Sequence, residues 1–210
     1  MSRSMSFGRP RGQSISTHRE GGVPMRKIFA FLMVTMDGYD EGPAQEFDFW
    51  NIDPEFDEFS VKQLDEADTL LFGRITYEGM AAYWPTAAAR QDSPAIADRM
   101  NGYPKLVVSR TLDRADWSGT QIVRDPAELA ELKRQPGKDI ALLSSSALTA
   151  TLVRLGLLDE LRIMVNPVAL GAGRSALRSV GLSRYRLLRT RLFDSGNVLL
   201  CYQPRSADAD

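Results

Sequence analysis

The sequence predicts an α/β domain whose central sheet is mostly parallel and finishes in antiparallel strands. Short, unbroken apolar runs are each followed by a glycine or serine turn and then by a helical pattern, as in Asp68 to Trp84. The end of the chain differs, because two strand-like runs, residues 185–193 and 198–202, are joined directly by a turn at residues 194–197. Strand-helix repeats therefore lead into a hairpin.

Each strand is predicted from an apolar run that is bounded by turn residues. The first run is nearly all apolar and ends at an Asp-Gly turn, which is typical of a central strand. The predicted strands are residues 27–34, 69–72, 104–108, 117–123, 140–143, 160–165, 185–193 and 198–202.

Helices are predicted where a capping residue precedes an apolar face, or where a glycine ends one. Pairs of Asp-Pro or Ser-Pro place proline in the first turn, which favours helix initiation. The predicted helices are residues 53–66, 73–84, 93–102, 125–134 and 147–155, and Gly137 and Gly156 mark two of the stops.

Composition excludes several classes of protein. The chain has one histidine, His18, and one cysteine, Cys201, which excludes a His/Cys zinc site, a Cys-His dyad and a His-based triad from the folded region. A formal net charge of -1 provides no basic surface for nucleic acid or for an anionic membrane. No stretch is apolar enough to be a membrane span or signal peptide, so we expect a cytoplasmic protein.

The 210 residues, 43% of them hydrophobic, are enough for one domain that needs no disulfide or metal. Residues 1–24 are rich in Ser, Arg and Gly and contain few large apolar residues, so we expect a disordered arm. The domain itself is predicted to be residues 25–204, followed by a disordered tail, residues 205–210.

The junction after the second strand has the chemistry of a phosphate site. Gly73 permits a tight turn, and the helix start that follows carries Arg74, Thr76 and Glu78. Helix N-termini at the carboxyl ends of parallel strands bind anions in open α/β sheets. The alternative is that Arg74 and Glu78 form an exposed helix pair and that Gly73 only makes a turn.

Two later junctions repeat this arrangement. Ser109 and Arg110 follow a strand directly, and Ser144-Ser145-Ser146 separates a strand from a helix. The arginines at positions 184, 186, 189 and 191 also resemble a phosphate patch, but the exposed face of a strand explains them more simply, and we favour that interpretation.

Five segments in order, MVTMDGY, LLFGRITYE, VVSR, DIALLSSSAL and GLLDELRIMVNPVALGAGR, resemble one family. It is the dihydrofolate reductase-like family, specifically stand-alone proteins similar to the C-terminal reductase domain of the bacterial riboflavin-biosynthesis deaminase/reductase. The resemblance covers about Met25 to Tyr202. The chain has no Pro-Cys-x-x-Cys, so we expect it to lack the zinc deaminase site of the other half of that enzyme.

The resemblance implies a three-layer dihydrofolate reductase-like fold, a small-molecule substrate, a homodimer, and NADPH laid across the strand ends. In that arrangement Thr35, Asp37 and Gly38 would form the loop beside the nicotinamide and the substrate. The cofactor phosphates would be held by Gly73, Arg74 and Thr76, the adenosine 2′-phosphate by Ser109 and Arg110, and the pyrophosphate by Ser144, Ser145, Ser146, Ala147 and Leu148.

The triple serine departs from the family, whose members carry glycines there. Glycine lets the backbone approach a pyrophosphate closely and adopt unusual dihedral angles, whereas each serine Cβ takes up room. Dinucleotide binding is therefore retained, weakened or lost, and a serine that simply caps the helix is a further interpretation.

Hydride transfer requires alignment more than acid-base chemistry, because the cofactor performs the hard step. If a proton must be supplied, Asp37 or Asp48 is a candidate to donate it or to orient a water molecule, although Asp more commonly caps a turn in such loops. Phe47, Phe49 and Trp50 are candidates for stacking on a pterin- or pyrimidine-like ring, or are core residues.

The main hypothesis is an NADPH-dependent reductase of a small heterocyclic or carbonyl substrate. A second is a non-catalytic nucleotide- or ligand-binding homodimer with a degenerate serine-filled phosphate loop. A third is a folate- or flavin-binding protein without reduction.

Overall fold

The computed structural model describes residues 25–205, in which one eight-stranded sheet lies between two hydrophobic clusters. The strands are β1 Ile28–Thr35, β2 Tyr39–Glu41, β3 Ala67–Gly73, β4 Lys105–Val108, β5 Thr120–Val123, β6 Asp139–Leu143, β7 Glu160–Asn166, β8 Arg174–Ser175, β9 Tyr185–Leu192 and β10 Val198–Pro204. The helices are α1 Pro54–Asp65, α2 Arg74–Tyr83, α3 Ala87–Asp92, α4 Pro94–Gly102, α5 Leu129–Arg134 and α6 Ser146–Arg154, with a 3₁₀ turn at Pro126–Glu128.

The strand order is β5-β4-β3-β6-β1-β7-β10-β9. The first six strands are parallel, and β10 and β9 then pair antiparallel, as the sequence predicted. The predicted strand at residues 117–123 begins later, at Thr120, because Trp117 turns into the core beside Phe72 instead. The predicted arm, residues 1–24, and residues 206–210 of the predicted tail lie outside the described residues.

Strand β1 is central because both of its faces are buried. Ile28 and Leu32 face the cluster that contains α5 and α6, and Phe29 and Phe31 face the cluster that contains α1, α2 and α4. A strand covered on both sides has no polar alternation, which explains the nearly all-apolar run at residues 27–34.

Two short strands were not predicted. Tyr39–Glu41 pairs antiparallel with Arg174–Ser175, and this two-stranded sheet lies apart from the main one. Strands of three and two residues are too short to show an alternating pattern.

Within residues 25–205, no helix combines the length and apolar character that crossing a membrane would require. The same residues contain no cluster of His, Cys, Asp or Glu arranged for a metal ion. The cytoplasmic location stays a prediction.

The arginines of β9 are paired with neighbours. Arg186 donates to Gln203 at 2.6 Å, Arg189 to Glu160 at 2.8 Å, and Arg191 to Glu55 at 2.7 Å. Their charges serve contacts between the edge strand and the rest of the domain, which favours the structural interpretation over a phosphate patch.

Candidate functional site

The predicted site junctions meet at one edge of the sheet. Strands β4, β3 and β6 are parallel neighbours, so their carboxyl ends point the same way. The register pairs Gly73 with Val108 and Leu71 with Leu142, which places the residues that follow each strand side by side. Arg74, Ser109 and Ser144 therefore begin adjacent connections along that edge.

The starts of α2 and α6 are in contact through Gly73 and Ser145. A Cβ added at Gly73 would lie only 2.2 Å from the Ser145 hydroxyl oxygen and 3.3 Å from the Ser145 Cβ. Neither helix start is capped by a side chain, so the first N–H groups of both helices have no partner of that kind. Two positive helix ends thus converge on one small volume.

Residues 144–146, which we call the serine corner, have the backbone conformation of a glycine loop. Ser144 and Ser145 have φ angles of 57° and 67°, in the left-handed region that glycine occupies most easily. Ser145 stands at the N-cap position of α6, but its side chain makes no capping hydrogen bond. The interpretation of this serine as an ordinary helix cap is therefore wrong.

Arg74 lies at the edge but has a partner within its own helix. Its Nη1 donates to both carboxylate oxygens of Glu78 at 3.0 Å, on an exposed surface. This is the alternative pairing that the sequence analysis left open, and a phosphate would share the guanidinium with Glu78. Thr76, on the same helix, is half-buried.

Ser109 is buried and organises the loop after β4. Its hydroxyl accepts the N–H groups of Thr111 at 3.2 Å and Leu112 at 2.9 Å, and its carbonyl accepts from Arg124 at 3.0 Å. The Ser109 hydroxyl is thus engaged in shaping the turn. Arg110, by contrast, is exposed at the edge of the sheet.

The loop after β1 is fixed by Asp37. Thr35 donates its hydroxyl to this carboxylate at 2.6 Å, and the N–H of Gly171 donates to it at 2.7 Å. These hydrogen bonds, that from Thr35 first, lower the pKa of Asp37 below its ordinary value. A carboxylate that stays ionised has no proton to give at neutral pH, so the geometry favours the turn-capping role over that of a proton donor.

Gly38 completes that turn. Its φ angle is +85°, its N–H donates to Thr35 at 2.9 Å, and its carbonyl accepts from Ala176 at 3.1 Å. The loop after β1 is thereby joined to the segment just beyond β8, and the contact between Asp37 and Gly171 joins it to residues 167–174, the glycine loop that follows β7.

The aromatic segment before α1 lies beside the end of β7. The rings of Phe49 and Trp50 are half-buried, with centroids 4.4 Å apart, and Phe47 is exposed. The N–H of Asn51 donates to the buried Asn166 side chain at 3.0 Å, which ties this segment to the strand neighbouring β1. The part of the segment that is accessible is therefore held close to Thr35, the register partner of Asn166.

Asp40 is a site residue that the sequence analysis missed. Its carboxylate accepts the hydroxyl of Ser146, the first residue of α6, and receives Arg174 Nε at 3.0 Å. This contact depends on the small sheet formed by β2 and β8, which joins segments far apart along the chain. No local pattern around Asp40 indicates it.

An open groove of about 720 Å³ lies elsewhere, between α2, α4 and residues 112–118. Tyr77, Asn101 and Trp117 line its floor, and these side chains are bonded to one another or to the backbone. None of the predicted site residues lines this groove.

Sequence comparisons give one family model and one curated relative. The sequence model of the RibD C-terminal domain matches residues 26–199 of the chain. The YyaP protein of Bacillus subtilis (strain 168), described as uncharacterized, is 33% identical over 184 residues, which cover 86% of this chain and 96% of YyaP.

Solved structures agree on the fold. Dihydrofolate reductase from Enterococcus faecalis, complexed with NADP(H), superposes with a TM-score of 0.60 at 13% identity, covering 86% of this chain and 97% of that one. A deaminase/5-amino-6-(5-phosphoribosylamino)uracil reductase from Thermotoga maritima superposes with a TM-score of 0.61 at 9% identity, covering 86% of this chain and 57% of that one. The chain thus spans just over half of the latter protein. At these identities the likeness is one of fold. The predicted dihydrofolate reductase-like fold is therefore confirmed.

Proposed function

The chain belongs to the RibD C-terminal domain family, and on that premise we propose that it is an NADPH-dependent reductase of a small substrate. The substrate would be a pterin- or pyrimidine-like heterocycle, or a carbonyl compound. One observation carries the proposal: the uncapped starts of α2 and α6 meet, through Gly73 and Ser145, at the carboxyl ends of adjacent parallel strands.

The residues present fit the phosphates of a dinucleotide in part. The N–H groups of Ser146, Ala147 and Leu148, together with those at the start of α2, are donors for a pyrophosphate. Arg110 is exposed in the connection that follows β4, the strand next to β3, and would hold the adenosine 2′-phosphate, where a guanidinium favours NADP over NAD. The Ser145 side chain stands between the two helix starts and would have to turn aside.

The end of β1 supplies the opposite part of the proposed site. When bound, the dinucleotide supplies the hydride, and the protein aligns the acceptor and excludes water. Thr35 and Asp37 fix the loop beside that position, and the paired rings of Phe49 and Trp50 offer a surface for a planar heterocycle. Reduction of a C=O or C=N bond also takes up one proton, which a water molecule at the exposed Asp37 carboxylate would supply.

NADPH is expected to stabilise the protein. At a concentration a hundredfold above its dissociation constant, it should add roughly 2 to 3 kcal/mol to the free energy of unfolding. Chemical denaturation with and without NADPH measures this, and NADH in parallel measures the preference for the 2′-phosphate. The Arg110→Gln variant is the matched control, since it should reduce the difference between the two nucleotides. If millimolar NADPH and NADH both leave the denaturation midpoint unchanged, the cofactor proposal fails.

A second function, a non-catalytic binding protein on the same scaffold, is favoured by one observation: the Ser145 hydroxyl lies where a close approach between the helix starts is needed. The same denaturation measurement on a variant with glycine at positions 144, 145 and 146 separates the two. A large gain in NADPH affinity would support a degenerate site, and no gain would support a working serine corner.

We also propose that the protein is a homodimer, through the sheet face at its antiparallel edge. The register aligns Val198 with Leu192 and Val165, and Leu200 with Thr190 and Ile163. These side chains share one face and are half-buried or exposed, with Leu192 77% exposed. An apolar face of this kind is typical of a protein interface.

Replacing Leu200 by glutamate is expected to convert a dimer to a monomer, because a buried charge at an apolar interface costs several kcal/mol. Sedimentation velocity measures the change in mass. Leu155→Glu, at the end of α6 and also partly exposed, is the control that should leave the mass unchanged. A wild-type protein that sediments as a monomer at high concentration would contradict the proposal.

A further inference from the structure

The carboxylate of Asp40 lies against the start of α6. The carboxylate of Asp40, only 9% exposed, accepts the hydroxyl of Ser146 on one side. On the other side it receives Arg174, whose Nε and Nη2 lie 3.0 Å and 3.3 Å from its two oxygens. The carboxylate thus neutralises the positive end of α6 and one guanidinium at once.

The backbone that carries Asp40 is held firmly. Gly173 approaches it so closely that an added Cβ would lie 2.2 Å from the carbonyl oxygen of Glu41. Arg174 is also paired with Glu41 at 2.5 Å, and Asp37 anchors the start of the same glycine loop through Gly171. The side chain of Asp40, rather than its strand, is therefore the part that can move.

A phosphate bound at this helix start would meet the Asp40 carboxylate. The N–H groups of Ser146, Ala147 and Leu148 have no acceptor within the helix, and they are the donors that an anion would use. Two negative groups that share one helix end repel each other. The phosphate and Asp40 therefore compete for the same positive end.

We propose that Asp40 sets the affinity of this corner for phosphates, as a built-in carboxylate that a pyrophosphate group displaces from Ser146. The displaced carboxylate leaves Arg174 in place, because Glu41 still holds it, and Arg174 becomes a ligand for the incoming anion. The inference deepens the proposed function, since the pyrophosphate in question is that of the dinucleotide, but it concerns the anion corner itself.

Asp40→Asn keeps the size of the side chain and an acceptor for Ser146 but removes the charge. It should tighten binding of inorganic pyrophosphate roughly tenfold, the equivalent of about 1.4 kcal/mol, and tighten NADPH binding in the same direction. Asp40→Ala, which also removes the acceptor for Ser146, should tighten binding of both ligands as well. Glu58→Gln, which removes a carboxylate from an exposed ion pair with Lys62 on α1, is the control and should change the dissociation constant less than about twofold.

Isothermal titration with pyrophosphate and with NADPH measures these constants, and a thermal melt checks that each variant is folded. The inference is overturned if both Asp40 variants bind pyrophosphate as weakly as the wild type or more weakly, or if Glu58→Gln tightens binding equally. Tighter pyrophosphate binding in the Asp40 variants, with no NADPH binding by any protein, would support the inference and remove the proposed function. NADPH binding whose dissociation constant is the same in the wild type and in both Asp40 variants would support the proposed function and overturn the inference.

Discussion

Replacing Arg162 by methionine is expected to lower the free energy of unfolding by about 3 to 5 kcal/mol, the largest stability effect that the structure predicts. The Arg162 side chain is 3% exposed and donates to Glu160 at 2.7 Å and to Glu66. Its guanidinium carbon lies 3.8 Å from the centre of the Phe29 ring. Methionine fills similar space but leaves a buried carboxylate without its main partner.

The expected loss depends on pH. Burial acts to raise the pKa of Glu160, but Arg162 and Arg189 more than offset it, so its pKa lies below the ordinary value. A lowered pKa contributes stability that is present above the unfolded-state value and is lost as the pH falls through the folded-state value. Without Arg162 the burial dominates and the pKa rises. The methionine variant should therefore lose less stability at about pH 5 than at pH 7.

Chemical denaturation at both pH values measures this effect. Glu160→Gln added to the methionine variant should recover part of the loss, because it removes the stranded charge. Arg186→Met is the matched control: it lies on the edge strand β9, which β10 separates from β7, is exposed, and should change stability by less than about 0.5 kcal/mol. A methionine variant with the wild-type denaturation midpoint would contradict the prediction.

The charged groups around Arg162 stabilise the fold, whereas those at the proposed phosphate site remain available to a ligand. Arg162 pairs with Glu160 near the amino end of β7, whereas the proposed site lies at the carboxyl ends of the strands. The buried pair is closed to solvent. At the other edge the arginines remain partly exposed, as Arg74 and Arg174 are, so they keep access to a ligand.

The parts of the fold that the sequence predicts are those encoded locally. An apolar run such as residues 140–143 can be a strand only if it is covered on both faces, and the serine or glycine after it must turn the chain. Because parallel strands all point the same way, the turns that follow them lie at the same edge of the sheet, at the carboxyl ends of the strands. This is why Arg74, Ser109 and Ser144 could be predicted to lie together from the sequence.

What sequence reasoning missed depends on long-range geometry. Ser146 and Asp40 are 106 residues apart, and Asp40 lies in one of the two short strands whose pairing brings Arg174 beside it. The left-handed conformation of Ser145 was likewise hidden, because serine before a helix ordinarily adopts an extended capping conformation. The partner of Arg74 was predicted as an alternative, since a spacing of four residues is local information.

Gly73→Val is expected to abolish measurable NADPH binding, a loss of at least about a hundredfold, or roughly 2.7 kcal/mol. The φ angle of Gly73 is -80°, so valine strains nothing in the backbone. The cost is steric, because the new Cβ would lie 2.2 Å from the Ser145 hydroxyl oxygen and 3.3 Å from its Cβ. The valine methyl groups would fill the space between the starts of α2 and α6.

The comparison with alanine tests this steric explanation. In Gly73→Ala the Ser145 hydroxyl can rotate away, so binding should weaken without being lost. Combining Gly73→Ala with Ser145→Gly removes the side chain that clashes and should restore much of the affinity, giving a coupling between the two positions well above the usual 0.5 kcal/mol for independent sites. Isothermal titration with NADPH supplies the constants, and thermal melts confirm that each variant is folded. Should a folded Gly73→Val protein bind NADPH as the wild type does, the cofactor does not pass between these helix starts.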